Sequence, residues 1–114
     1  MKLEVGMYVR YGGVIKKIKE LVDFNEREYK LNGFYINKKS IQDASYDIID
    51  LIKVGDYVNG YKVSLKGYDY AHFVQCDYPV ENGTTNHYKF YKQAIKSVVT
   101  KELFEIAEYR IGEK

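Results

Sequence analysis

The chain has 114 residues, 46% of them apolar and 30% charged, with a formal net charge of +2. That balance fits a globular fold and excludes a disordered chain, and no run approaches the roughly 18 apolar residues that a membrane helix needs. A charge so close to zero argues against a general nucleic-acid binder, which carries a strongly basic domain. The single cysteine, Cys76, excludes an internal disulfide and suits a reducing compartment.

Taken in chain order, the first strand is expected near Met7–Tyr11, after a start without the apolar run of a signal peptide. Gly12-Gly13 then turns the chain into a strand near Val14–Leu21. Strands near Glu28–Leu31 and Phe34–Asn37 flank Asn32-Gly33, and another follows near Ile41–Ala44. Ser45–Leu51 carries Ile48, Ile49 and Leu51, so it reads as a packed, extended joint and not as a flexible linker.

Beyond the joint, strands are expected near Asp56–Asn59, Tyr61–Tyr68, Tyr70–Tyr78, Asn86–Tyr91 and Ile95–Val99, with turns at Asn59-Gly60 and Asn82-Gly83. Asn-Gly and Gly-Gly supply the positive φ angles of tight hairpins. A single 3₁₀ turn is expected before Ile41 and again before Ile95. Thr100 is placed to cap a helical turn over Lys101–Ala107, and Glu108–Ile111 alternates like a final strand.

The order repeats. Leu3-Glu4-Val5-Gly6-Met7-Tyr8-Val9 matches Ile52-Lys53-Val54-Gly55-Asp56-Tyr57-Val58, and Phe34–Ile41 resembles Tyr88–Ile95. A tandem duplication explains this pattern. The expected fold is all-β: two tandem SH3-like small barrels, or one duplicated β-barrel or sandwich, with a short C-terminal helical turn. Residues 1–47 form the first unit and 48–114 the second. An SH3-like pattern by itself implies no function.

Catalytic and metal constellations are thin. His72 and Cys76 would lie roughly 13 Å apart along a strand, at about 3.3 Å per residue, too far to share one ion, and no paired-Cys or paired-His spacing is present. Cys76 sits among apolar and aromatic neighbours, where a thiol is ordinarily a small buried hydrophobe. Around the turn at Asn82-Gly83 it should oppose Lys89, with His87 on the diagonal, and no third group orients such a pair. No phosphate-loop pattern occurs. Glu26/Glu28 and Glu102/Glu105 read as solvated faces.

Thirteen Tyr and five Phe, with no Trp, favour strands and leave polar tips at wet edges or interfaces. Tyr68, Tyr70, Tyr78, His87, Tyr88, Lys89, Tyr91 and Lys92 gather around the second long hairpin as the candidate ligand or partner residues. Aromatic faces beside ammonium groups can stack a base and hold a phosphate. Alternation puts Tyr68 with Tyr70, and Lys89 with Tyr91, while Tyr88 points away from Lys89. The plainer reading is barrel core with a solvated rim. Asp77–His87 is the most loop-like stretch. From Thr84 to Lys101 there is no acid, and Lys89, Lys92, Lys96 and Lys101 would need to form one stripe to bind nucleic acid.

Ile48-Ile49-Asp50-Leu51-Ile52-Lys53-Val54-Gly55-Asp56-Tyr57-Val58-Asn59-Gly60-Tyr61-Lys62-Val63, and Ile95–Glu105 with Glu108–Ile111, resemble small accessory proteins encoded in phages and prophages of Gram-positive bacteria. The resemblance covers the second half well and the first half loosely, and brings no catalytic residues with it. It implies a non-enzymatic binding protein in the cytoplasm of a bacterial host, without cofactor or membrane attachment. Its role would be counter-defence: sequestering a nucleotide second messenger, or blocking a host defence protein or a nucleic-acid surface. The alternatives are a nucleic-acid-binding accessory module and, third, a small hydrolase using Cys76 and His87. Nucleic acid and a second copy of the chain are the further partners considered.

Overall fold

The computed structural model describes residues 2–80, 83 and 85–105. The chain is mainly β, with eleven strands in three sheets among these residues. It divides into two units, the first ending at Leu51 and the second starting at Ile52.

In the first unit, β1 (Tyr8–Tyr11) and β2 (Val14–Lys17) close around Gly12-Gly13, with Tyr11 opposite Val14. The last strand, β6 (Ile41–Ser45), returns along the other side of β1. Between them β3 (Leu21–Asp23), β4 (Glu28–Leu31) and β5 (Phe34–Asn37) form a second three-stranded sheet, the latter two turning at Asn32-Gly33. Leu3, Val9, Ile18 and Leu31 are its buried centre.

The single strand expected over Val14–Leu21 is two strands in different sheets. Ile18 is buried in the core. Its N–H donates to the Met7 carbonyl at 2.7 Å, and its carbonyl accepts from Gly6 at 2.8 Å. The Asn32 amide then captures the next turn: Oδ1 accepts from Lys19 and Glu20 N–H at 2.8 and 3.0 Å, and Nδ2 donates to the Lys17 carbonyl at 2.9 Å. With its backbone groups taken this way, the segment leaves one ladder for another.

The second unit is one five-stranded sheet in the order β10-β9-β8-β7-β11, built from β7 (Tyr57–Val58), β8 (Tyr61–Tyr68), β9 (His72–Pro79), β10 (Thr85–Tyr91) and β11 (Val98–Val99). Its interior holds Ile52, Val58, Val63, Val74 and Cys76.

The repeated sequence block adopts the same backbone in both units. Gly6 and Gly55 have φ of 97° and 98°, a region that favours glycine. Gly6 N–H donates to Ile18 and Met7 N–H to Glu4; Gly55 N–H donates to Val63 and Asp56 N–H to Lys53. The 3₁₀ turns expected before Ile41 and Ile95 are present as Lys38–Ser40 and Lys92–Ala94.

The joint is not extended. Ile48–Leu51 forms a 3₁₀ turn with Ile49 and Leu51 buried. Asp47 Oδ1 accepts from Ile49 N–H at 3.0 Å, and Ser45 Oγ donates to Asp50 Oδ2 at 2.6 Å. The buried Arg10 guanidinium donates to the Leu51 carbonyl at 3.0 Å. These polar anchors curl a stretch that its aliphatic content alone would leave straight.

Residues 101–105 are helical, and Thr100 Oγ1 accepts from Leu103 N–H at 3.3 Å. The buried Asp56 carboxylate accepts from Lys53 N–H and Lys101 N–H, each at 2.8 Å. The rest of the expected turn, and the strand expected at 108–111, lie outside the described residues. No helix among those described is long and apolar enough to cross a membrane.

Candidate functional site

The register of β8, β9 and β10 decides which candidate side chains meet. Phe73, Gln75 and Asp77 are opposed by Tyr91, Lys89 and His87, and Val74, Cys76 and Tyr78 by Phe90, Tyr88 and Asn86. Val74 and Cys76 are fully buried, so the second set marks the core face and the first the outer face. The eight candidates are thereby divided. His87, Lys89 and Tyr91 stand outside, and Tyr78 and Tyr88 lie on the core side. Lys92 is exposed in the 3₁₀ turn after β10.

Tyr68 and Tyr70 do not share a strand face, because β8 ends at Tyr68 and Asp69–Ala71 reverse the chain. Tyr68 meets the ring of His72 edge-on at 4.8 Å. Tyr70 instead stacks on Tyr91 with centroids 5.0 Å apart.

The Asp69 carboxylate organises this end of the sheet. Its Oδ1 accepts from the N–H groups of Tyr70 and Ala71, forming the turn. Its Oδ2 accepts from the Tyr91 hydroxyl at 2.7 Å and from Lys89 Nζ at 3.3 Å. The Tyr91 hydroxyl is the main reason the carboxyl titrates low, at about 2; the turn N–H groups and Lys89 add to this against partial desolvation. Donating to that carboxylate pushes the Tyr91 hydroxyl up in turn.

Phe73 lies beneath the cluster. Lys89 Nζ sits 4.4 Å from its ring centroid, and Tyr91 packs edge-on at 5.9 Å. Gly67 is its cross-strand partner, and a Cβ there would come within 2.5 Å of Phe73 Cζ. The glycine therefore gives the ring its seat, and Phe73 is only 8% exposed. Further along, His87 Nδ1 and Asp77 Oδ1 meet at 2.7 Å.

On the core side, Tyr78 and Tyr88 stack at 4.1 Å, and Tyr61 packs edge-on against Tyr88 at 4.8 Å. The hydrogen bond with Tyr78 is the first cause raising the Tyr88 hydroxyl. These rings form an aromatic edge to the core, with Tyr78 half-buried and Tyr88 still partly exposed.

Cys76 opposes Tyr88, not Lys89, because residues 80–84 lie between the paired Pro79 and Thr85 and shift the register by one. His87 is consequently on the face opposite Cys76, so the two do not meet as a catalytic pair. Burial pushes the Cys76 thiol up to about 11, which suits an inert core position. The stretch read as most loop-like is largely strand, with Asp77–Pro79 in β9 and Thr85–His87 in β10. Among the described residues no group of three His, Cys, Asp or Glu side chains could hold a metal ion.

The expected lysine run is partly engaged within the unit. Lys89 is tied to Asp69, and the Lys101 stem lies over Gly55, with Cδ 3.2 Å from where a Cβ would stand. What the outer face offers is a fixed carboxylate flanked by one ammonium and two stacked phenols, with Tyr70 at its rim 79% exposed. Comparison with known protein families, curated proteins and solved structures finds no match.

Proposed function

We propose that this chain is a non-enzymatic binding protein that docks on a partner protein through the outer face of β8–β10, with Tyr70 as its anchor. The observation that carries the reading is the Asp69 cluster, in which Asp69 fixes the turn bearing Tyr70 and holds Tyr91 beneath it. A rigid, exposed tyrosine loses little side-chain entropy on docking and buries a large ring.

The sign of the charge selects among partners. An ionised carboxylate at the centre of the patch attracts a lysine or arginine and repels a phosphate. Lys89, the cation nearest the rings, is already occupied by that carboxylate. Blocking a protein surface therefore suits this face better than sequestering a nucleotide. The resemblance to phage and prophage accessory proteins supplies the setting: the partner is a host defence protein, and the effect is inhibition by occlusion.

The test is affinity capture of the tagged protein from a Gram-positive host, with Tyr70→Ala and Asp69→Lys in parallel. The reading predicts one protein enriched by the parent chain and lost from both variants. Enrichment that both variants retain, or no enrichment over them, would contradict it.

A further inference from the structure

We infer that the first unit carries a separate anion site, a groove formed by Lys16, Lys17 and Lys19 that takes a phosphate-rich ligand. The groove has a volume of about 530 Å³ and is lined by these lysines with Ile15, Glu20 and Asn32. It lies wholly within the unit that the proposed docking face does not use.

Three observations combine. The first is charge. Lys38 is paired with Asp23 and Lys89 with Asp69, whereas none of Lys16, Lys17 and Lys19 joins an ion pair among the described residues. Among the described lining residues Glu20 is the one acid, against three lysines, which leaves a local excess of two positive charges.

The second is rigidity. The buried Ile18 between the lysines is bonded on both its N–H and its carbonyl. The Asn32 amide binds the Lys17 carbonyl and the N–H groups of Lys19 and Glu20. All four backbone positions from 17 to 20 are therefore fixed, so Lys17 and Lys19 line the groove from a frame that need not order itself on binding. Lys17 is further steered, its Nζ standing 5.8 Å from the Tyr8 ring centroid.

The third is the nature of the lining. Lysine is a compact point charge that binds phosphate without demanding bidentate geometry. Among the described residues no aromatic ring lines the groove on which a base could stack. The site is therefore built for a run of phosphates and is indifferent to what they are attached to. A polyphosphate chain on a nucleotide and the backbone of a nucleic acid share that chemistry.

Calorimetric titration of the intact protein at low salt with inorganic tripolyphosphate, ATP and a 12-nucleotide single strand tests the site. Binding of tripolyphosphate should weaken at least tenfold in the Lys16→Gln, Lys17→Gln, Lys19→Gln triple variant. It should survive the corresponding triple arginine variant, and stay within about twofold in a control carrying Lys30→Gln and Lys39→Gln, two exposed lysines of the same unit outside the groove lining. Three lysine contacts predict a log–log salt slope of about −2 to −3. Equal affinity for ATP and tripolyphosphate identifies a free phosphate chain as sufficient; a tighter, steeper response to the oligonucleotide identifies a nucleic-acid backbone. No binding of any probe at about 5 mM overturns the inference, as does equal weakening in the triple variant and the control. Circular dichroism establishes that each variant is folded, and the arginine variant keeps the test decisive if the glutamine variant is not.

Discussion

The Tyr91 hydroxyl donates to Asp69 Oδ2 at 2.7 Å, joining the end of β10 to the turn between β8 and β9. The bond holds the ring on which Tyr70 stacks, so a solvent-facing tyrosine stands on a fixed platform. It also keeps the Asp69 carboxylate ionised well into acid.

That ionisation is measurable. The Asp69 carboxyl should titrate near 2, against an ordinary value of 3.8. Because the folded value is the lower one, the stabilisation is complete above about pH 4 and is lost as pH falls through about 2. Carboxyl-carbon NMR should show the low midpoint in the parent chain and a return toward 3.8 in Tyr91→Phe. An unchanged midpoint in that variant would remove Tyr91 as the main cause.

Gly67 is a glycine for space. Its φ is not among the positive ones, yet a side chain there would collide with Phe73. Gly67→Ala should destabilise the fold by about 1–3 kcal/mol through overpacking. Adding Phe73→Leu should recover part of the loss, because the two residues share one contact. Denaturant unfolding checks both; a Gly67→Ala protein as stable as the parent would show that the ring has room to move.

Asn59 repeats the device seen at Asn32. At φ 53° it turns the β7–β8 hairpin. Its Oδ1 accepts from Lys96 and Ser97 N–H at 2.8 and 3.1 Å, and its Nδ2 donates to the Ala94 carbonyl at 2.8 Å. Asn59→Gly keeps the backbone and loses the clamp, costing about 1–3 kcal/mol. Asn59→Ala adds left-handed strain of about 1–2 kcal/mol. The melting temperatures should fall in that order, and equal values for Gly and Ala would deny the strain.

Asp56→Ala should cost about 2–4 kcal/mol, since it strands two N–H groups bound to a buried carboxylate. Amide exchange at Lys53 and Lys101 should quicken first. Met7 occupies the equivalent place in the first unit and packs against the apolar cluster, so exchange there should stay unchanged.

The paired turns were legible in the sequence because positive φ restricts residue choice: Asn32, Asn59 and the glycines at 6, 12, 13, 33, 55, 60 and 83 all adopt it. The break after Lys17 was not legible, because Val14–Leu21 has the residues of one strand. What divides it is Asn32, supplied from a distant turn. An Asn-Gly pair implies a two-residue loop, which would set Cys76 against Lys89, whereas Pro79 pairs with Thr85 and Cys76 with Tyr88. Asp69 resembles any solvated turn residue until Tyr91 and Lys89 are brought to it by the ladder. The helical curl at Ile48–Leu51 depends on Asp47, Ser45 and Asp50, side chains that an aliphatic count ignores.

The docking claim is tested most directly by the affinity of the captured partner for single-site variants, measured by biolayer interferometry. Tyr70→Ala should weaken binding at least tenfold, while Tyr46→Ala, at an exposed tyrosine of the first unit, should leave it unchanged. Full affinity in Tyr70→Ala, or a comparable loss in Tyr46→Ala, would place the contact elsewhere and contradict the reading.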